Sequence, residues 1–245
     1  MSILKKWFAP VSLTVLLILA IVLPGCAQAG SAINGSGKII DRNIDLAGFD
    51  SVEAQGKLNL AISESDSFQI TISTDDNLIN RVLFTREDNI LKIQIEAPAA
   101  FFPTSLKIKI GMPQIKNLNL ANEASANISV NKPISSFNLV LTGSSIVDGY
   151  LEAESTNFYI SGNSQVNLKG KSKMLELDVA GASKLNLSDF LLSGANVKLR
   201  EASIAVLNVN GDLNIVLKEA SKIYYLGNPL IKNTSITGDS SMIRQ

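Results

Sequence analysis

The chain has 245 residues, with 22 Lys+Arg balanced against 22 Asp+Glu, 6% aromatic residues, no histidine and one cysteine. A formal charge of +0 lacks the basic surplus that displaces counterions, so no nucleic-acid partner is expected. Without histidine the commonest general base and metal ligand is missing, and one cysteine allows neither an internal disulfide nor a Cys-based zinc site, so no cofactor or metal is expected.

Lys5 and Lys6 precede an apolar run of 13 residues, Val11–Leu23. That run is short of the ~20 residues of a membrane span and has the layout of a secretory signal. It ends in Leu23-Pro24-Gly25-Cys26, which resembles a bacterial lipobox. Residues 1–25 therefore read as a lipoprotein signal peptide. Cys26 reads as the lipidated residue that makes the membrane a partner and places the chain in the cell envelope, at the outer membrane, in the periplasm or on the surface. An uncleaved N-terminal anchor extended by Trp7-Phe8-Ala9 is the alternative. Residues 26–38 are rich in small side chains and read as a flexible tether. Within them Asn34-Gly35-Ser36-Gly37-Lys38 is no phosphate loop, because Ala32 stands at the first glycine position and Ile39 at the Ser/Thr position.

From residue 39 to 117, short runs alternate apolar and polar residues, as half-buried strands do. Examples are Leu58-Asn59-Leu60-Ala61-Ile62, Leu91-Lys92-Ile93-Gln94-Ile95 and Leu106-Lys107-Ile108-Lys109-Ile110. Asp76–Leu83 has Leu78, Ile79 and Val82 on one side of a short helix. Pro98 and Pro103 break any strand between them, and Phe101-Phe102 reads as a plug over the end of a core.

From residue 118 to 245 a triplet recurs: Glu123-Ala124-Ser125, Gly143-Ser144-Ser145, Gly162-Asn163-Ser164, Gly181-Ala182-Ser183, Glu201-Ala202-Ser203, Glu219-Ala220-Ser221 and Gly238-Asp239-Ser240. Its serines are 20, 19, 19, 20, 18 and 19 residues apart. Such a period marks a solenoid. Six and four residues before each serine, and two and four after it, stand aliphatic columns such as Leu139, Phe158, Leu177, Val197 and Ile215. Each coil is then a strand, a tight turn at the triplet and a second strand, with coils ~4.8 Å apart. Antiparallel hairpins in a sandwich or barrel are the alternative topology, yet only parallel stacking demands that columns match from coil to coil. The first triplet fits only when counted from Ala124, which predicts a bulge at the junction with the irregular part.

Ser145, Ser164, Ser183, Ser203, Ser221 and Ser240 have two readings. They are small residues at a structural corner, or a hydroxyl stripe that contacts sugar or protein. Glu at the turn position of three triplets requires either negative φ or strain. Arg200-Glu201 and Lys218-Glu219 occupy equivalent places in neighbouring coils and form a candidate surface patch. Nothing pairs a nucleophile with a base, so no catalytic residue is assigned and no enzyme is expected.

Gly48-Phe49-Asp50-Ser51-Val52-Glu53, Gly56-Lys57-Leu58-Asn59-Leu60, Asp75-Asp76-Asn77-Leu78-Ile79, the triplets, and the ending Gly227-Asn228-Pro229 with Gly238-Asp239-Ser240-Ser241 together resemble one bacterial family. It is the family described as putative auto-transporter adhesin, head GIN domain, and the resemblance covers residues 39–245. It implies an all-β chain built as a single-stranded parallel β-helix, right-handed and pectin-lyase-like. The family is exported and often lipid-anchored, with adhesion inferred for it. The expected function is non-catalytic binding of a glycan or envelope protein. The alternatives are a structural component that forms a homo-oligomer through its coil ends, where the last strand stops at Gln245, and a polysaccharide-active enzyme.

Overall fold

The computed structural model describes residues 32–96 and 101–245. The signal-peptide run, Cys26 and the first part of the tether lie outside these residues. No helix among the described residues is long and apolar enough to cross a membrane.

The strands of the irregular part are β1 (Ile33–Asn34), β2 (Ile39–Ile44), β3 (Ser51–Gln55), β4 (Asn59–Glu64), β5 (Gln69–Asp75), β6 (Val82–Glu87), β7 (Ile90–Ile95), β8 (Phe101–Phe102) and β9 (Leu106–Met112). The regular part holds β10 (Asn117–Ala121), β11 (Ser125–Leu141), β12 (Ile146–Ile160), β13 (Gln165–Val179), β14 (Lys184–Leu199), β15 (Ile204–Leu217), β16 (Lys222–Leu226), β17 (Leu230–Ile236) and β18 (Ser241–Arg244). Every pairing from β10 to β18 is parallel. The hairpin sandwich is thereby excluded, and the chain is an all-β solenoid with coils of about 19 residues.

Register follows the columns counted from the triplets. Leu139 pairs with Phe158, Phe158 with Leu177, Leu177 with Val197 and Val197 with Ile215. All five are buried, at 0–2% exposure. Each such side chain removed from water contributes about 1.5–3 kcal/mol, so the stacked columns are the main source of stability. Between the two halves of a coil the backbone does not break. It runs through bulges such as that between Val130 and Ile134, which holds Pro133, and those ending at Gly170 and Gly194, so the second bend of each coil lies inside a long strand and is marked by a lone Pro or Gly rather than by a recurring triplet.

The irregular part differs from a simple run of early coils. β3 and β4 form one coil around the corner Gly56-Lys57-Leu58, and β7 and β9 supply the strands of another. β3 lies between β7 and β10, and β4 lies between β9 and β11. The coil that comes first in the chain is therefore second in space. The chain leaves it for the outermost position, then crosses back through Pro113–Lys116 to the third. Antiparallel additions close the outer end, with β2 on β5, β5 on β9, and β6 on β7.

Three local expectations change. The helix over 76–83 shrinks to a single 3-10 turn, Ile79–Arg81. Leu78, Ile79 and Val82 are buried as an apolar set, but Val82 is drawn into β6 opposite Ile95. The plug is half a plug, since Phe101 is 8% exposed and Phe102 is 55% exposed. Within the tether, Ile33–Asn34 pairs with Phe101–Phe102, and the backbone N–H of Gly37 donates to Asp75 Oδ1 at 2.8 Å. Asp75 also accepts from the Thr104 N–H at 2.8 Å, so one carboxylate at the end of β5 clasps both flanking segments.

Candidate functional site

The corner residues come first, because the sequence points at them. Ser145, Ser164, Ser183, Ser203 and Ser221 are all at 0% exposure. Their hydroxyls serve the backbone. Ser145 Oγ donates to Thr142 O at 2.9 Å, Ser164 Oγ to Ser161 O at 3.0 Å, Ser183 Oγ to Ala180 O at 3.2 Å, and Ser221 Oγ to Leu199 O at 3.1 Å. The Ser203 hydroxyl is buried without a partner, and Ser240 Oγ accepts from the Ser221 N–H at 3.2 Å. The five buried serines offer no hydroxyl to an external ligand. In the first coil the corner position belongs to Ala124, since Ala126 pairs with Val147.

Two turn shapes occur along the corner. Gly143, Gly162, Gly181 and Gly238 hold a single positive φ of 65–81°. A Cβ on Gly162 would stand 2.3 Å from Gly143 O, so close stacking as well as φ demands glycine there. Where Glu, or Asn122 in the first triplet's coil, stands at the glycine position, two consecutive residues take positive φ: Glu201 and Ala202 at 57° and 63°, Glu219 and Ala220 at 58° and 64°, Asn122 and Glu123 at 56° and 71°. The Ser203 N–H donates to Arg200 O, and the Ser221 N–H donates to Lys218 O, each at 3.3 Å. Paired positive φ and this bond are the marks of a type I′ turn. The strain alternative is therefore the one adopted.

Arg200, Glu201, Lys218 and Glu219 are exposed and in register, because Leu199 pairs with Leu217. They do not pair with one another. Arg200 reaches Asp178 at 2.6 Å, and Glu201 accepts from the Gly181 N–H at 3.1 Å. Four further carboxylates of the repeats pair with a lysine of a neighbouring coil: Glu152 with Lys171 at 3.0 Å, Glu154 with Lys173, Asp189 with Lys169 at 3.2 Å and Asp212 with Lys232 at 3.8 Å. Exposed pairs of this kind contribute ~0–1 kcal/mol each. No group of three or more acidic or cysteine ligands that could hold a metal occurs among the described residues.

The most ordered feature of the outer surface lies seven residues before each corner. There stand Asn117, Asn138, Asn157, Glu176, Asn196, Asn214 and Asn233. Nδ2 of Asn138 donates to Asn117 Oδ1, and Nδ2 of Asn157 donates to Asn138 Oδ1, both at 2.7 Å. The run continues through Asn117 to Ser51 Oγ at 2.7 Å, and from Ser51 to the Asp50 carboxylate at 2.8 Å. A second run leads from Asn233 to Asn214 at 2.6 Å, to Asn196 at 2.7 Å, and ends on Glu176. Each run thus ends on a carboxylate, which accepts and cannot donate when ionised. Asp50 is held below the ordinary carboxylate range: burial pushes it up, but the Lys116 ammonium and the Ser51 and Asn89 donors outweigh burial. The fixed offset of seven residues was available in the sequence. It was hidden because outward polar residues carry no hydrophobic signal, and Glu176 interrupts the identity.

Beside this ladder, two residues along β12, Tyr159 is 54% exposed. Toward the last coils the face is concave, with a shallow depression of about 440 Å³ over Asn196, Lys198, Asn214, Asn233 and Ser235. A second, separate groove of about 980 Å³ lies between Phe101–Leu106 and the corner residues Asn122 and Glu123.

Solved structures share the architecture. A protein called a putative adhesin from Bacteroides fragilis is similar at TM-score 0.77 and 18% identity, over 87% of this chain and 100% of that one. A protein called a putative lipid binding protein from Parabacteroides distasonis gives 0.69 and 20% identity, over 88% of this chain and 100% of that one. A putative adhesin from Parabacteroides merdae gives 0.65 and 16% identity, over 88% and 100%. At these identities the likeness establishes the fold. Among curated proteins none matches the chain in sequence. The family model described as putative auto-transporter adhesin, head GIN domain, matches residues 48–229, and the chain belongs to that family.

Proposed function

We propose that the chain is a non-catalytic binding module of the cell envelope, exported and held to the membrane by lipid on Cys26. The observation that supports this most is the in-register outer face, where ladder amides and Tyr159 present repeated polar contacts along an open surface. Carboxylates of the kind a polysaccharide enzyme would need are spread over separate coils, and Glu152, Asp178 and Asp189 are each paired with a cation. The family's description and the names of the two adhesin relatives agree with an adhesive role. Saturable binding of the purified lipoprotein to isolated envelopes is the expected result. Absence of binding would defeat it, and a polysaccharide-cleaving activity of the purified protein would defeat its non-catalytic part.

A structural reading has one specific observation in its favour. The outward edges of β17 and β18 carry no strand among the described residues, and Leu230, Ile231, Ile236 and Ile243 are 40–57% exposed there. Strand edges of this kind pair with other chains. Light scattering separates the two: self-assembly predicts a size that grows with concentration, and a binding module of fixed size does not.

A further inference from the structure

We infer that the asparagine face binds an extended neutral polysaccharide laid along the solenoid axis, with Tyr159 as its stacking platform. This rests on the binding reading above and names its ligand class.

The hydrogen-bond inventory of the ladder carries the inference. An Asn amide has two N–H donors and two acceptor lone pairs. Asn138, inside its run, spends one N–H on Asn117 and one lone pair on Asn157. Asn196 and Asn214 do the same in theirs. Each such rung therefore keeps one donor and one acceptor, fixed in direction by its neighbours. Asn138, Asn157, Asn196 and Asn214 are all partly exposed, so these groups face water. A rigid row of alternating donors and acceptors matches hydroxyl groups, which both donate and accept. The rungs repeat at ~4.8 Å, the strand spacing, which is close to the advance of one pyranose in an extended chain.

Other ligand classes fit less well. The sheet's own N–H and C=O groups are spent between coils, so a peptide cannot add to this face as a strand. A lipid or apolar partner would strand the ladder's remaining polar groups. An anionic or cationic polymer finds little surplus of charge, because Asp178 pairs with Arg200, Asp212 pairs with Lys232, and Glu176 stands on the same face as Lys198 and Lys218. Tyr159 adds what sugar recognition needs beside hydroxyl partners, an exposed aromatic ring against which the C–H face of a pyranose packs.

The test is native electrophoresis of the full-length processed protein in detergent, in separate gels cast with galactomannan, xyloglucan or dextran. Retardation is expected in at least one gel. Tyr159→Ala should weaken the apparent affinity by about fivefold or more. Tyr150→Ala, on another face and bonded to Glu152, should leave it unchanged. Both variants are checked for an unaltered melting temperature. Normal mobility in all three gels, or retardation indifferent to Tyr159→Ala, overturns the inference. A protein that runs unretarded but still saturates isolated envelopes loses the glycan assignment alone. One that does neither loses the binding reading as well.

Discussion

Asp75 shows how one side chain joins distant segments. Its carboxylate is at 0% exposure at the end of β5, and it accepts from Gly37 and Thr104. Burial pushes its pKa up, yet the bonds from Gly37, Thr104 and Ser105 outweigh burial and hold it below the ordinary value. A folded-state pKa below the unfolded one stabilises fully above the unfolded value, about 4, and the contribution is lost as pH falls through the folded value. Asp75→Asn should therefore lower the melting temperature at neutral pH, and the gap to the parent should close as melts are repeated below about pH 4. The corner makes a second residue-scale prediction. Ala202 and Ala220 pay the left-handed penalty of about 1–2 kcal/mol without any compensating side-chain bond. Ala202→Gly should raise stability by about 0.5–1 kcal/mol after its unfolded-state entropy is counted. Gly162→Ala should lower it, because the added Cβ meets Gly143 O. Calorimetry of the two variants reads both signs.

At the scale of elements, the coil is specified by two kinds of column. The inward columns depend on shape and apolarity. Leu177→Ala, at 2% exposure between Phe158 and Val197, should cost about 2–5 kcal/mol in denaturant melts. The outward column depends on hydrogen-bond direction. Glu176 meets Asn157 across one strand spacing, and no bond joins them, since Glu176 cannot donate. Glu176→Asn should fuse the two runs into one and raise stability by about 0.5–1.5 kcal/mol, the worth of one added bond. These two columns also differ in how far the sequence reveals them. Leu139, Phe158, Leu177, Val197 and Ile215 are legible because period-2 apolarity is a strong signal at a fixed offset. The asparagines also keep a fixed offset, one residue earlier, but resemble any solvated surface until their partners are seen. The I′ corners at Glu201 and Glu219 were half legible: the sequence poses φ or strain, and the stacking of neighbouring coils decides between them.

For the whole molecule, what the sequence withheld is threading order. Nothing in residues 51–64 says that they will be sandwiched between strands β7 and β9 on one side and β10 and β11 on the other, because pairing partners are chosen by tertiary fit. The proposed lipid anchor belongs to this scale too. Cys26→Ala should remove the acyl mass from the mature protein and move it from the membrane to the soluble fraction, as mass spectrometry and fractionation would record. The account as a whole holds that the repeated serines are buried architecture and that recognition sits on the ladder face. With one cysteine in the chain, and that one acylated in the proposed mature form, a second can be placed at will. Tyr159→Cys puts a bulky maleimide on the ladder face, and Gln165→Cys puts the same label on an exposed position after the corner. The decisive measurement is binding of the two labelled proteins to isolated envelopes. The account predicts loss for the Tyr159→Cys conjugate and full binding for the Gln165→Cys conjugate; equal binding by both, or the reverse order, would contradict it.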